Sequence, residues 1–140
     1  MLIVALALAD LTEMPARIEP PGGRIVVADS CPSEDKAQAA AFNRLELLRD
    51  PSHTRALPLS EIKSLFAAAG LGEPAVRFTE LRDLVSNLLA RSYPHPGDAP
   101  KIVEMFRASA NDDSLGIPVR LEGAAIHYAY PVAICAATRP

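Results

Sequence analysis

Tryptophan is absent from this chain, and three Tyr and four Phe make up only 5% of its 140 residues. A core of stacked aromatics is therefore excluded. Hydrophobic residues still reach 49%, with alanine supplying much of the count, which favours helices and close packing of elements. Cysteine is also scarce. Cys31 and Cys135 lie far apart, giving neither a metal-ligand spacing nor a disulfide framework, and both flank or sit in apolar strands. They read as reduced core thiols in a cytoplasmic protein. Positive charge is not in excess: the net charge is −3 and the isoelectric point near 5.6, so no electrostatic case exists for nucleic acid or an acidic membrane. No apolar run approaches the ~20 residues of a membrane helix. Met1 to Ala9 is apolar, and Ala7-Leu8-Ala9 imitates a cleavage site, yet no Lys or Arg precedes it. The segment reads instead as a strand remnant or the start of a helix running to Met14, interrupted at Pro15. Internal repeats, low-complexity tracts and linkers are missing too. The expectation is a single domain over residues 1–140.

What is present centres on Pro20-Pro21-Gly22-Gly23-Arg24 and the run that follows it to Ser30. Two prolines and two glycines give a helix stop and a tight reversal. Ile25 to Ala28 are apolar without alternation, as in a strand buried on both faces of a sheet covered by helices. Asp29 and Ser30 place polar groups at its C-terminal edge, where ligands bind in open α/β sheets; a polar strand end is the plainer reading.

A polar turn, Cys31 to Asp35, leads into a helix expected from Asp35 to Leu48. Pro32 and Ser33 start it, and Glu34 and Asp35 complement its dipole. Its apolar stripe is Ala37, Ala41, Leu45 and Leu48, with Arg44 and Glu46 facing elsewhere, and Pro51 ends it. A second helix opens at Pro58 with Ser60 as N-cap, carries Ile62, Leu65, Phe66 and Ala69, and stops at Gly70. Ala75 to Leu81 alternates as a strand with one wet face. A helix from Leu81 to Arg91 follows, then a proline-stiffened loop, then a helix begun at Pro100 and closed by Asn111-Asp112-Asp113. Gly116 to Glu122 is an irregular or short strand segment. Ala125 to Thr138 is a long strand in which Pro131 requires a bulge, an edge or a break.

The helix end at Glu13-Met14 and Ala16-Arg17-Ile18, the Pro-Gly-Gly turn and the strand ending in Asp29 resemble class I S-adenosylmethionine-dependent methyltransferases. A helix leading into Arg49-Asp50-Pro51-Ser52-His53 is similar to small-molecule methyltransferases of the ubiquinone/menaquinone type. The resemblance covers Glu13 to Pro140. It implies an α/β fold, the C-terminal part of a Rossmann-like methyltransferase sheet with about three strands, the last antiparallel, and flanking helices. It also implies S-adenosylmethionine as the family's cofactor. In the family a Gly-rich turn after the first strand and an acid after the second bind that cofactor. No Gly-x-Gly motif of any kind is expected here, the only paired glycines being Gly22-Gly23. The chain is thus expected to be a truncated or split methyltransferase without its cofactor half, with no cofactor-binding residues and no metal, and with doubtful binding of S-adenosylmethionine by itself.

The resemblance makes His53 a candidate general base, since imidazole titrates near neutrality, with Asp50 fixing its tautomer. The alternative is turn chemistry around Pro51, with Arg49 as a helix C-terminal charge. Asn43, Arg49, Asp29, Ser30 and Tyr93 are candidate substrate-binding residues. His95 shares the Tyr93 loop, and His127, Tyr128 and Tyr130 read as packing with polar tips at a surface. Expected partners are a small-molecule substrate and either a second copy or a separate cofactor-binding half. The outer edge of the Ile25 to Ala28 strand would be left unpaired for it. A non-catalytic remnant that dimerises or binds a ligand is the rival expectation.

Overall fold

The computed structural model of the chain describes residues 2–4 and 20–140. The helix expected to end at Glu13-Met14 and Ala16-Arg17-Ile18, and the break at Pro15, lie outside them. At the entry to the fold the Gly23 N–H donates to the Pro20 carbonyl at 2.8 Å, and Gly22 adopts φ +83°. Pro21 followed by a residue with positive φ is a type II turn, which is why proline and glycine occur in that order. The turn is tied to the far end of the chain, because Gly22 N–H donates to Arg139 and Arg139 N–H donates back to Gly23.

Strand β1 (Leu2–Val4) and strand β2 (Arg24–Ser30) pair in parallel. On its other side β2 pairs antiparallel with β5 (Ala125–Thr138), Ile25 opposite Ala137 and Ser30 opposite Val132. β2 is therefore interior, as its unbroken apolar run requires, but its outer edge is not left open: β1 occupies it. β5 pairs antiparallel with β3 (Ala75–Leu84) along its other side. A short strand β4 (Val119–Glu122) forms a hairpin with the start of β5, giving five strands among the described residues rather than three.

Pro131 breaks nothing. The Cys31 N–H donates to the Pro131 carbonyl where β2 leaves the sheet, and the Ala129 N–H donates to Pro118 just beyond β4. The proline nitrogen is thus on the side where β2 ends, and its missing N–H falls at the end of the β2–β5 ladder rather than within it.

Helix α1 is Lys36–Arg49, α2 Leu59–Ala68, α3 Val85–Ala90 and α4 Ala99–Asp112. Ile62 and Phe66 of α2 pack on Ile25, Val27, Ala133 and Cys135. Phe42 and Leu45 of α1, Leu88 of α3, and Ile102 and Phe106 of α4 close over Ile126, Tyr128 and Tyr130. Odd and even positions of a continuous strand point to opposite faces. The two cores therefore lie on opposite faces and at opposite ends of β5. Both cysteines are buried and free.

Several boundaries differ from expectation. Asp35 is the N-cap of α1, accepting from the N–H groups of Ala37 and Gln38, while Ala37 is exposed and Glu46 buried. Ser60 does not cap α2. Its N–H and hydroxyl both donate to the Glu34 carboxylate, at 2.9 and 2.7 Å, because Pro58 at the cap position has no side-chain acceptor. Leu81 to Leu84 remain in β3 instead of opening α3, since the ladder to β5 continues to the Leu84–His127 pair. A Gly-x-Gly does occur, Gly70-Leu71-Gly72, but it leads from a helix to a strand.

Candidate functional site

Residues expected to act together are assembled where β2, α1 and the loop after α1 meet. Asn43 is the hub. Its amide Nδ2 donates to the carbonyls of Ala39 (3.0 Å) and Ala56 (3.1 Å), and its Oδ1 accepts from the Ala56 N–H at 2.7 Å. A backbone N–H only donates and a carbonyl only accepts, so these partners fix the orientation of the amide. His53 Nε2 lies 3.0 Å from the same Oδ1. An acceptor oxygen demands a donor there, so Nε2 carries a proton, and whenever the ring is neutral its lone pair lies on Nδ1.

Asp50 does not set that tautomer. Its Oδ1 accepts from the Ser52 N–H (2.9 Å) and hydroxyl (2.6 Å), which hold its carboxyl below the usual aspartate range, while its carbonyl accepts from the His53 N–H. This is the Asx turn that Asp-Pro-Ser chemistry favours.

One helical turn on from Asn43, Glu46 is 3% exposed and holds two partners. Arg49 reaches it with both arms of its fork, Nε to Oε1 at 3.2 Å and Nη2 to Oε2 at 2.7 Å. The Tyr130 hydroxyl donates to Oε1 at 2.5 Å. Burial, with the Glu46 charge beside it, raises the phenol far above its ordinary value. Tyr130 is therefore not a polar tip at a surface. Its ring lies edge-on to Phe42, 5.1 Å between centroids, and beside Tyr128 at 4.8 Å.

Asp29 completes the group. Its Oδ1 accepts from the Ser30 N–H at 2.7 Å, with the Ser30 hydroxyl at 3.4 Å. Burial raises its pKa despite those bonds, and His53 and Glu46 lie close enough to influence it. Asp29, Asn43, Glu46, Arg49, His53 and Tyr130 thus form one polar cluster at the C-terminal edge of β2. Among the described residues Tyr93 joins it only through its backbone, donating to the Arg49 carbonyl at 3.0 Å, and the residue is 81% exposed. His95 is exposed, and His127 faces Glu122 on the β4–β5 hairpin.

Glu46 and Tyr130 are the members that sequence reasoning missed. The signal was spacing, since Asn43, Glu46 and Arg49 recur every three residues and share a helix face. A cavity of about 390 Å³ lies beside the cluster, between α1 and residues 55–61, with Asn43 and Ala56 in its wall. Among the described residues no group of three His, Cys, Asp or Glu is placed to hold a metal ion. None of their helices is long and apolar enough to cross a membrane.

No protein-family model and no curated protein matches this chain. Solved structures do. A protein from Bacillus halodurans C-125 described as a candidate methyltransferase aligns with a TM-score of 0.81 at 17% identity, over 95% of this chain and 62% of that one. The YcgJ protein from Bacillus subtilis aligns with a TM-score of 0.75 at 23% identity, over 95% of this chain and 58% of that one. The present chain therefore spans about three fifths of each. The likeness establishes a methyltransferase-like α/β fold with flanking helices.

Proposed function

We propose that this chain is the substrate-side half of a cytoplasmic S-adenosylmethionine-dependent methyltransferase acting on a small molecule, and that it does not turn over alone. The observation that carries the reading is His53, its Nε2–H committed to Asn43 and its Nδ1 lone pair uncommitted among the described residues, close enough to Asp29 to feel its charge. A base so oriented suits removal of a proton from a substrate hydroxyl or similar nucleophile. Asn43 fixes the ring, Glu46 fixes the Arg49 fork, and the 23% exposure of the Arg49 side chain leaves it able to meet an anionic substrate group. The methyltransferase-like fold and the place of the cluster, at the C-terminal edge of an interior strand, support the same reading. The net negative charge favours a small molecule over nucleic acid or an acidic membrane.

The described residues do not fit S-adenosylmethionine. Gly70-Leu71-Gly72 leads out of a helix rather than into one, and β2 enters α1 through Cys31 to Asp35 without a glycine. The Asp29 carboxylate that ends β2 accepts from its neighbour Ser30. Cofactor binding is accordingly assigned to a separate segment or chain, and no step is drawn through it.

The test is calorimetric titration of the purified chain with S-adenosylmethionine, with its mass in solution recorded. Absence of heat up to millimolar ligand is expected. Micromolar binding would overturn the half-enzyme reading. A second reading, a non-catalytic remnant that dimerises, is favoured by the outer edge of β3, which is unpaired among the described residues. It gains if a small-molecule screen moves no resonance of His53, Asn43 or Asp29.

A further inference from the structure

Strand β3 is the outer strand of the sheet on the side away from β1, and among the described residues nothing pairs with its free edge. Every residue from Arg77 to Arg82 is exposed, with Phe78 at 59% and Leu81 at 61%. We infer that this edge joins a second copy of the chain, β3 to β3 and antiparallel, about a two-fold axis through Leu81. The inference does not depend on the methyltransferase reading.

The register follows from the backbone. On β5 the Ala129 N–H and the Pro131 carbonyl both point toward β4 and β2, so even-numbered residues of β5 bond to β3. Their partners on β3 are odd-numbered, including Thr79, Leu81 and Asp83. Phe78, Glu80, Arg82 and Leu84 consequently direct their backbone groups outward. A two-fold axis normal to the sheet pairs residues of the same parity, so it must pass through a residue. Through Glu80 it sets that carboxylate against itself, through Arg82 it sets two guanidinium groups together, and through Thr79 it sets Phe78 against Glu80. Through Leu81 it sets Leu81 on Leu81, Glu80 on Arg82 twice and Phe78 on Leu84 twice.

That last register is self-complementary in both charge and apolar contact. Within one chain Arg82 already binds Glu80, Nε to Oε2 at 2.8 Å, so the dimer closes a square of four alternating charges. Glu80 and Arg82 sit at positions that exchange both backbone bonds across the edge. Leu84 is the natural end of the new ladder, because its N–H is taken by the Asp83 carboxylate at 2.7 Å. A ten-residue edge presents a row of unpaired N–H and C=O groups, and here the covering that fits is a copy of the same strand.

Sedimentation of the full chain across the micromolar range tests this. A concentration-dependent dimer is expected. Glu80→Arg and Arg82→Glu should each weaken it at least about tenfold by creating like-charge pairs, and the double exchange should restore it. Both sites are exposed on one strand, and circular dichroism confirms that each variant is folded. A monomer throughout, a dimer indifferent to the single changes, or a double variant that fails to recover would each overturn the inference.

Discussion

His53 Nε2 lies 3.0 Å from Asn43 Oδ1, and the Ala56 N–H takes the same oxygen at 2.7 Å. One side chain thus sets the protonation pattern of an imidazole and the path of the loop that carries it. With the Nδ2 bonds to Ala39 and Ala56, no hydrogen-bonding capacity of the amide remains unused.

Asn43→Ala should therefore act on stability and on the ring together. Losing the amide frees the Ala56 N–H and carbonyl and leaves His53 without its acceptor, a cost of about 1–3 kcal/mol. Urea denaturation reads the loss. Nitrogen chemical shifts of the imidazole should show the Nε2–H form in the wild type and a tautomer mixture in the variant. A single unchanged tautomer would refute the assignment.

Tyr130 and Glu46 give a graded test. Tyr130→Phe removes one bond to a carboxylate and should destabilise by about 1.5–3 kcal/mol. Glu46→Ala should cost more, because it leaves the buried phenol and the Arg49 fork both unpaired. The order matters more than the values. If Tyr130→Phe proved the worse of the two, Glu46 would not be the centre of that triad.

Why the sequence shows some of this and not the rest comes down to range. The turn at Pro20 to Gly23 and the strand Ala125 to Thr138 are local patterns, and both occur where the residues imply. Leu81, Leu84, Val85 and Leu88 also have helical spacing, yet the ladder with β5 holds the first two in a strand, since pairing from a distant segment outweighs local period. Glu46 reads as a solvated helix residue because its partner Tyr130 is 84 positions away. The cap of α2 was illegible for the same reason, with Glu34 arriving from 26 positions upstream.

Asp29 predicts a pH dependence opposite in sign to that of most carboxylates. Burial raises its folded pKa above the ordinary 3.8, so the folded state holds its proton more tightly than the unfolded state does. Its contribution to stability is complete below 3.8 and is lost as pH rises through the raised value. Asp29→Asn still accepts from Ser30 but has no charge to bury. It should match the protonated wild type in acid and be the more stable protein at neutral pH. Urea midpoints of both proteins across that range decide it, and a constant offset at every pH would contradict the argument.

The two thiols should be inert in the folded protein. Burial pushes Cys31 up to about 11 and raises Cys135, which has no exposed surface. Thiolate is the reactive species, so an aromatic disulfide reagent at mildly alkaline pH should titrate neither until denaturant is added, and then both. Rapid labelling of either in the native state would place it outside the α2 core.

Gly116 and Gly22 separate backbone strain from crowding. Both have positive φ, +63° and +83°, so alanine at either should lose about 1–2 kcal/mol from the left-handed backbone alone. At Gly22 a methyl group would meet nothing within 4 Å among the described residues. At Gly116 it would fall 2.7 Å from Gln38 Oε1 and 2.9 Å from Ser33 Cβ. Gln38 is not free to swing away without loss, because its Nε2 donates to the Asp113 carbonyl at 2.9 Å and ties the start of α1 to the end of α4. Gly116→Ala should therefore be clearly the more destabilising of the two in urea. Adding Gln38→Ala to it should recover only part of the difference, since Ser33 remains. Equal losses at the two glycines would mean that the α1–α4 junction is looser than the contact between Gln38 and Asp113 implies.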